Sequence, residues 1–519
     1  MSPPRLFAPI VLVLFAVIVL LPIFYMMLAP FWADSPTVPS ESTSLLDTRH
    51  LALTKNSLVL AAGTTCLCLV IGTALALIMH RTDLWGRGIF RNIYVIPMLI
   101  PPYVHAIVWT HLESFAKQFL HIDIHSLWGV VIVLTLAYFP FVTLTTLSGL
   151  KSIDRNLEEA SLLCHGRWKT MRGITLPLLT PHIFSGATFV FIFSIIDFGV
   201  PDILRVRVYP LEIFIQFSAF FDERAATLLS LPLVGITVLL LVLQKRLMKD
   251  RSYVQISAGI SNEKESALGW LRGPALGFCL LVFGLSVALP LVVLGTVVGP
   301  FSNFSRALTS SLGQIGYSFM LAFSGATFAL LLAVCLSYLM KRSRMRMRPL
   351  LEFSSYIPLS IPAITLGIGL IKVWNRPVAD IVYGSSLIIV LGYVAHFIPF
   401  SVITVSSGFK QINPRLEEVA HLNVQHWTRV TWKIVLPLLR PSLITGFFIV
   451  FILSLGELGM TLLIIPPGRE TIPIKIYNLM HYGAEQMVAA LCLLLVAIVL
   501  AFSGLFLIFH RKLTKRISA

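Results

Sequence analysis

Apolar residues fall in twelve long blocks separated by short polar stretches, at roughly 8–29, 56–80, 92–111, 126–149, 179–200, 226–244, 272–297, 316–340, 350–374, 385–408, 438–459 and 486–509. Each runs on the order of 20 residues, enough to cross a hydrocarbon core of about 30 Å as a helix. Most blocks are apolar all round, so helical periodicity carries no information, and length and flanking charge define the elements. Composition agrees: 56% of residues are hydrophobic and only 12% charged, against about 25% charged in soluble domains. The chain is predicted to be an all-α integral membrane protein of about twelve transmembrane helices.

The net charge of +16 would suit a nucleic-acid partner if it were concentrated on one soluble surface. Instead it alternates. With the N-terminus inside, the interior segments hold 29 of the 40 Lys and Arg. This positive-inside asymmetry places both termini in the cytoplasm and argues against nucleic acid. The run "KRSRMRMR" at 341–348 then reads as a topology anchor on anionic lipid. Residues 1–29 read as a retained first span, since the apolar run is too long for a secretory signal and no small-residue cleavage site follows. The six cysteines suggest neither a disulfide framework nor a zinc pattern.

The chain repeats itself at half its length. Pro97 and Pro101 match Pro358 and Pro362 at an offset of 261, and Gly149-Leu150-Lys151 matches Gly408-Phe409-Lys410 at 259. Glu158-Glu159 matches Glu417-Glu418 at 259, Pro177 matches Pro437 at 260, and Asp197-Phe198-Gly199 matches Glu457-Leu458-Gly459 at 260. The division is a first six-span repeat at 1–246, a polar linker at 247–271 and a second repeat at 272–519. Six spans per unit make the repeats parallel, related by an axis along the membrane normal, which is a transporter arrangement.

Between the fourth and fifth blocks of each repeat lies a charged segment, "NLEEASLLCHGRWKTMRGITLPLL" from Asn156 and "RLEEVAHLNVQHWTRVTWKIVLPLL" from Arg415. Asn413-Pro414 is a good helix opening, with Asp154 in the matching place. The glutamates then sit in the first turn, where the helix dipole favours carboxylates. Leu157, Leu162, Leu163 and Trp168 interleave with Arg167, Lys169 and Arg172. The segment is expected to be a short cytoplasmic helix offering acid and apolar surface, either as a docking element or as solvated charge that caps a helix.

This segment, an acidic start with alanine followed by Ile-x-Leu-Pro or its equivalent before a span, resembles the coupling loop of permease subunits in binding-protein-dependent ABC importers. The resemblance covers nearly the whole chain, because both repeats carry it with the same flanking prolines. It implies that Glu158, Glu159, Ala160, Gly166, Leu176 and Pro177, and likewise Glu417, Glu418, Ala420, Leu436 and Pro437, form the loops that dock an ATPase. The family glycine would fall at His165 and Val424; Gly166 stands one place late and Asn423 one early, each a candidate left-handed helix terminator. The implied partners are two copies of an ATP-binding subunit, which would bind ATP and Mg, and an extracytoplasmic substrate-binding protein. The implied location is a prokaryotic inner membrane. "SIIDFGVPDILR" and "SLGELGMTLLIIPPGRETIPIKIYNLMHYG" look like the ferric-iron branch, with aminoethylphosphonate, thiamine and polyamine permeases as near relatives.

Asp197 and Glu457, with Phe198, are candidates for the transport path, because acids within a membrane suggest function, although anchoring a helix end explains them equally. Pro97, Pro101, Pro358 and Pro362 are candidates for a gate or kink, although membrane helices tolerate proline. "HIDIH" at 121–125 has no counterpart in the second repeat and reads as a loop rather than a metal site. The outer-side Arg205, Arg207 and Arg224 suit acidic patches on a docking protein. No phosphate-binding loop or zinc-protease motif occurs, so the chain itself is expected to bind no cofactor and to catalyse nothing. The rival of another class, an ion-coupled secondary transporter, would need charged or unwound ion sites in mid-membrane and no ATPase.

Overall fold

The computed structural model describes residues 6–32, 48–121, 123–153, 155–164, 166–247, 268–343, 345–423 and 426–518. Most of the expected linker, together with Asp154, His165 and Val424, lies outside them. Among the described residues ten unbroken helices are long and apolar enough to cross a membrane: Phe7–Leu28, Thr48–Arg81, Leu127–Ser152, Trp168–Ile196, Glu223–Arg246, Gly269–Val298, Leu312–Arg342, Leu387–Gln411, Thr431–Leu455 and Glu485–Ile508. Two further spans are bent helix pairs, Arg87–Leu99 with Pro102–His111 at 88° and Arg348–Ser360 with Ala363–Trp374 at 110°. Counting each bent pair once gives twelve, the third and ninth being the broken ones.

The corners follow from proline chemistry. A residue before proline is driven out of the helical region. Ile100 and Ile361, each followed by proline, are extended at ψ 118° and 123°, and Pro101 and Pro362 follow at ψ 137° and 140°. Pro97 and Pro358 have another role, opening the short turns Ile96–Leu99 and Ile357–Ser360. The bend therefore belongs to the second proline of each pair.

Proline also explains a recurrent widening of the helices. Four of the five π-turns among the described residues end immediately before Leu-Pro: Ala16–Leu20, Met171–Thr175, Gly284–Ala288 and Thr431–Val435. In each the leucine N–H reaches five residues back, as from Leu176 to the Met171 carbonyl and from Leu436 to the Thr431 carbonyl. Proline has no N–H to give and its ring collides with the carbonyl four residues earlier. Widening the turn moves that carbonyl aside without ending the helix.

Two compact units result, one of Met1–Thr43, Glu212–Val234 and Val297–Ala519, the other of Ser44–Leu211 and Gly235–Thr296. Both are built on the same triad. In one, the second span packs on the fourth and fifth; in the other, the eighth packs on the tenth and eleventh. Glycines permit the closest crossings. A Cβ on Gly149 would lie 2.7 Å from the His182 ring, and one on the matching Gly408 2.4 Å from the Ser442 hydroxyl.

The units differ from the sequence repeats in two respects: the opening spans are exchanged, and Glu212–Val234 of the first repeat belongs to the unit that holds most of the second. The first span packs on Ala363–Trp374 and the tenth span, with Gly369 admitting the Pro22 carbonyl. The seventh contributes Cys279, Val282 and Phe283 to a core containing Leu75, Phe139, Leu150 and Leu179. Phe283 stacks on Phe90 at 5.3 Å. The packing units cut across the expected repeat boundaries at 1–246 and 272–519.

Candidate functional site

The repeated segments form matched short helices, Arg155–Cys164 and Pro414–Asn423, each followed by one turn of helix and a π-turn that runs into the next span. Asn413 caps its helix, its side-chain oxygen accepting from the Arg415 N–H at 3.0 Å. The expected left-handed terminators are used otherwise. Asn423 is the last residue of its helix, and the Gly166 carbonyl accepts from the Thr170 N–H at 3.1 Å, so that glycine opens the following turn.

The two glutamates of the first pair have different surroundings. Glu158 points back into the bundle, where Arg81, the last residue of the second span, pairs with its Oε2 at 2.9 Å and the Thr175 hydroxyl donates to its Oε1 at 2.8 Å. Glu159 is exposed, as is Ala160. In the second repeat Glu417 takes the inward position, accepting from Arg342 Nε at 2.7 Å, and Arg342 is the last residue of the eighth span. Ala420 is half-buried; the Glu418 side chain lies outside the described residues. Only the second glutamate of the first pair is thus seen facing outward, while the first glutamate of both pairs is committed to its own chain. The sequence pattern put Arg342 only in the lipid-facing run 341–348 and gave Arg81 no role, although Met79-His80-Arg81 and Met340-Lys341-Arg342 fall at the repeat offset of 261.

Around these acids the loop helices expose apolar groups. Leu163 is 90% exposed and Trp168 62%, the latter with the Arg172 guanidinium 5.0 Å from its ring centroid. Leu157 and Leu162 are exposed beside them; Leu416, Val419 and Trp432 are exposed in the second repeat. Leu176 and Leu436 are half-buried, Pro177 is exposed and Pro437 half-buried. An acidic group set among exposed large apolar side chains is suited to a protein partner.

The basic run that begins at the end of the eighth span is partly used within the protein: Lys341 donates to Glu352 at 3.2 Å and Arg342 holds Glu417. In the first repeat, Asp83 accepts from the Leu268 N–H at 2.9 Å and pairs with Arg272, tying the start of the seventh span to the end of the second. The hydrogen bond from that guanidinium, with the Leu268 amide adding to it, holds the Asp83 carboxyl below the usual carboxylate range.

The membrane acids act as helix caps. The fifth span stops at Ile196, and Asp197 accepts from the Val200 N–H at 3.0 Å to start the helix Gly199–Ile203. Its other oxygen accepts from the Tyr138 hydroxyl at 3.0 Å. Glu457 does the same before Gly459–Ile464, accepting from the N–H groups of Met460 at 2.7 Å and Thr461 at 2.9 Å and from the Thr461 hydroxyl. Phe198 and Leu458 are buried beside them. Pro97, Pro101, Pro358 and Pro362 are all buried at the two corners. In "HIDIH", His125 meets the Leu204 carbonyl at 3.2 Å and Glu113 at 3.4 Å, and Asp123 accepts from the His125 N–H at 3.0 Å. Among the described residues no three His, Cys, Asp or Glu gather in a metal-holding group.

Comparison with known proteins places this architecture. The sequence pattern of the binding-protein-dependent transport system inner membrane component family matches twice, over residues 69–253 and 325–518, once per repeat and each time leaving out the exchanged first span. The Fe(3+)-transport system permease protein FbpB 2 of Haemophilus influenzae is 23% identical over 448 residues, 85% of this chain and 86% of that protein. The ferric transport system permease protein FbpB of Actinobacillus pleuropneumoniae is 24% identical over 95% of this chain and 76% of its own length. A putative 2-aminoethylphosphonate transport system permease protein, PhnV of Salmonella paratyphi A, is 33% identical over 187 residues, 35% of this chain and 69% of its own. With twelve spans, two matched loop helices and a family match in both repeats, the chain belongs to the binding-protein-dependent transport system inner membrane components, as a multi-pass permease with both repeats in one polypeptide.

Proposed function

We propose that this permease forms the membrane path of an ATP-driven importer for ferric iron. Similarity to two ferric transport permeases over 85% and 95% of the chain carries the choice of substrate. In this reading the repeated loops lie in the cytoplasm, which the bias of 29 of 40 basic residues to that side supports. Two copies of an ATP-binding subunit, carrying ATP and Mg, dock on the loop helices through Glu159, Glu418 and the exposed leucines and tryptophans around them. A substrate-binding protein delivers iron to the opposite face. ATP binding draws the loop helices together, and the spans exchange inward-open for outward-open packing, with each partner favouring one state of a two-state equilibrium. A second reading, the same machine carrying 2-aminoethylphosphonate, is favoured by the 33% identity to the phosphonate permease.

Uptake of radiolabelled ferric iron by iron-starved cells tests both parts, with wild-type protein compared to a Glu159→Arg/Glu418→Arg variant at equal membrane abundance. Uptake in the wild type and none in the variant is the expected result. No iron uptake in either, with labelled aminoethylphosphonate accumulating instead, moves the substrate to the second reading. Equal uptake in both removes the docking role from the loops.

A further inference from the structure

We propose that Arg81 and Arg342 are positioning residues for energy coupling, and that each fastens its loop helix to the second span of its own repeat through the first glutamate of the pair. The proposal rests on the importer reading above and goes beyond it, because it adds a second mechanical link that does not follow the chain. The covalent link runs from loop helix through π-turn into the fifth or eleventh span. The ionic link runs back to the second or eighth.

The two knots are equivalent in place and different in construction. In the first repeat the carboxylate is the hub: Glu158 gathers Arg81 from the end of the second span and Thr175 from the π-turn at the entrance to the fifth. In the second, Val435 stands where Thr175 would be and offers no hydroxyl. There the guanidinium is the hub. Arg342 donates to Glu417 at 2.7 Å and to the Phe409 and Ile412 carbonyls at 3.2 and 3.0 Å, and lies over the Phe409 ring at 5.6 Å. Those carbonyls belong to the end of the tenth span, where helix geometry leaves acceptors unfilled and favours a cation. Each knot therefore joins a loop helix to two spans of the packing triad. All four charged side chains are no more than 18% exposed, so salt screens the pairs weakly and removing one partner strands the other.

A double-mutant cycle in the intact transporter tests this. Arg81→Gln, Glu158→Gln and the double variant, with Arg342→Gln and Glu417→Gln in parallel, are compared at equal membrane abundance. The readouts are ferric iron uptake and ATP hydrolysis by the gently solubilised complex, with and without iron-loaded binding protein. Each single change is expected to lower uptake roughly tenfold while basal hydrolysis persists and its stimulation by loaded binding protein is lost. The double is expected to be no worse than the weaker single, because both changes break one link. Arg81→Lys is expected to restore most of the uptake. Singles with wild-type uptake, singles whose hydrolysis is still stimulated by loaded binding protein, or a double near the hundredfold product of independent effects would each overturn the proposal. Failure of the importer reading looks different: wild-type uptake would continue with ATP depleted and no ATPase copurifying, whatever the variants did.

Discussion

Gly186 and Gly446 occupy the same place in the two repeats, 260 residues apart on the fifth and eleventh spans, yet the structure assigns their alanine variants opposite signs. At Gly186 a Cβ would stand 2.4 Å from the Thr145 hydroxyl and 2.9 Å from the Val142 Cα. The hydroxyl can turn away only by giving up its bonds to the Phe141 and Val142 carbonyls, both at 3.1 Å, and the Cα cannot turn at all. The fourth and fifth spans must therefore separate locally, an overpacking cost of about 1–3 kcal/mol. At Gly446 the nearest atoms are Leu330 Cδ1 at 3.5 Å and Ser401 Cα at 3.6 Å, ordinary contacts. Alanine gains about 0.8–1 kcal/mol over glycine inside a helix at either site. The balance is a loss of up to about 2 kcal/mol for Gly186→Ala and a gain of up to about 1 kcal/mol for Gly446→Ala. Thermal unfolding in mild detergent, followed by the monodisperse fraction on size-exclusion chromatography, measures the order. Gly186→Ala should melt a few degrees below wild type and Gly446→Ala at or slightly above it. Equal shifts, or a greater loss at Gly446, would refute the claim that crossing distance decides the tolerance.

Three further outcomes are expected. Asp197→Asn and Glu457→Gln keep an acceptor oxygen for the cap and should retain uptake within about threefold, whereas alanine at either site should abolish most of it; loss of uptake in the Asn and Gln forms would show that the charge itself serves transport. Pro177→Ala and Pro437→Ala return the missing N–H and should let the π-turns close to α register, turning each loop helix by about 100° relative to its span and reducing uptake. Spin-label distances between loop helix and second span measure the turn, and unchanged distances would refute it. For Asp83, a folded carboxyl held below its ordinary value contributes stability that is complete above about pH 4 and disappears as pH falls through the folded value. The melting difference between wild type and Asp83→Asn should therefore be largest near neutral pH and vanish in acid; a difference independent of pH would exclude the Arg272 pair as its source.

Much of this protein is legible from local rules. Twelve spans follow from block length, because backbone in hydrocarbon must satisfy its hydrogen bonds within its own segment and so leaves helix as the default for an apolar run. The duplication and the loop helices follow from offsets near 260 and from Asn413-Pro414. The corners at Pro101 and Pro362 and the widened turns before Leu-Pro need only the geometry of one ring.

Other features depend on contacts between distant residues, which no local pattern encodes. Glu158 and Glu159 are adjacent and chemically identical, and only the fold sets one against Arg81, at the end of another span, while leaving its neighbour exposed. Asp197 and Glu457 carry the same charge whether or not they cap a helix, and only the break that follows each span brings the amides of Val200 and of Met460 within reach of them. The exchange of first spans is invisible for a like reason: both are uniformly apolar, and an apolar surface fits any apolar neighbour until shape selects one, as Gly369 does for the Pro22 carbonyl. Sequence determined which segments enter the membrane, because burial in hydrocarbon is a property of each segment alone. Tertiary structure decided which of them touch and which charges are left for a partner, because side-chain pairing and close packing act across the chain and at short range.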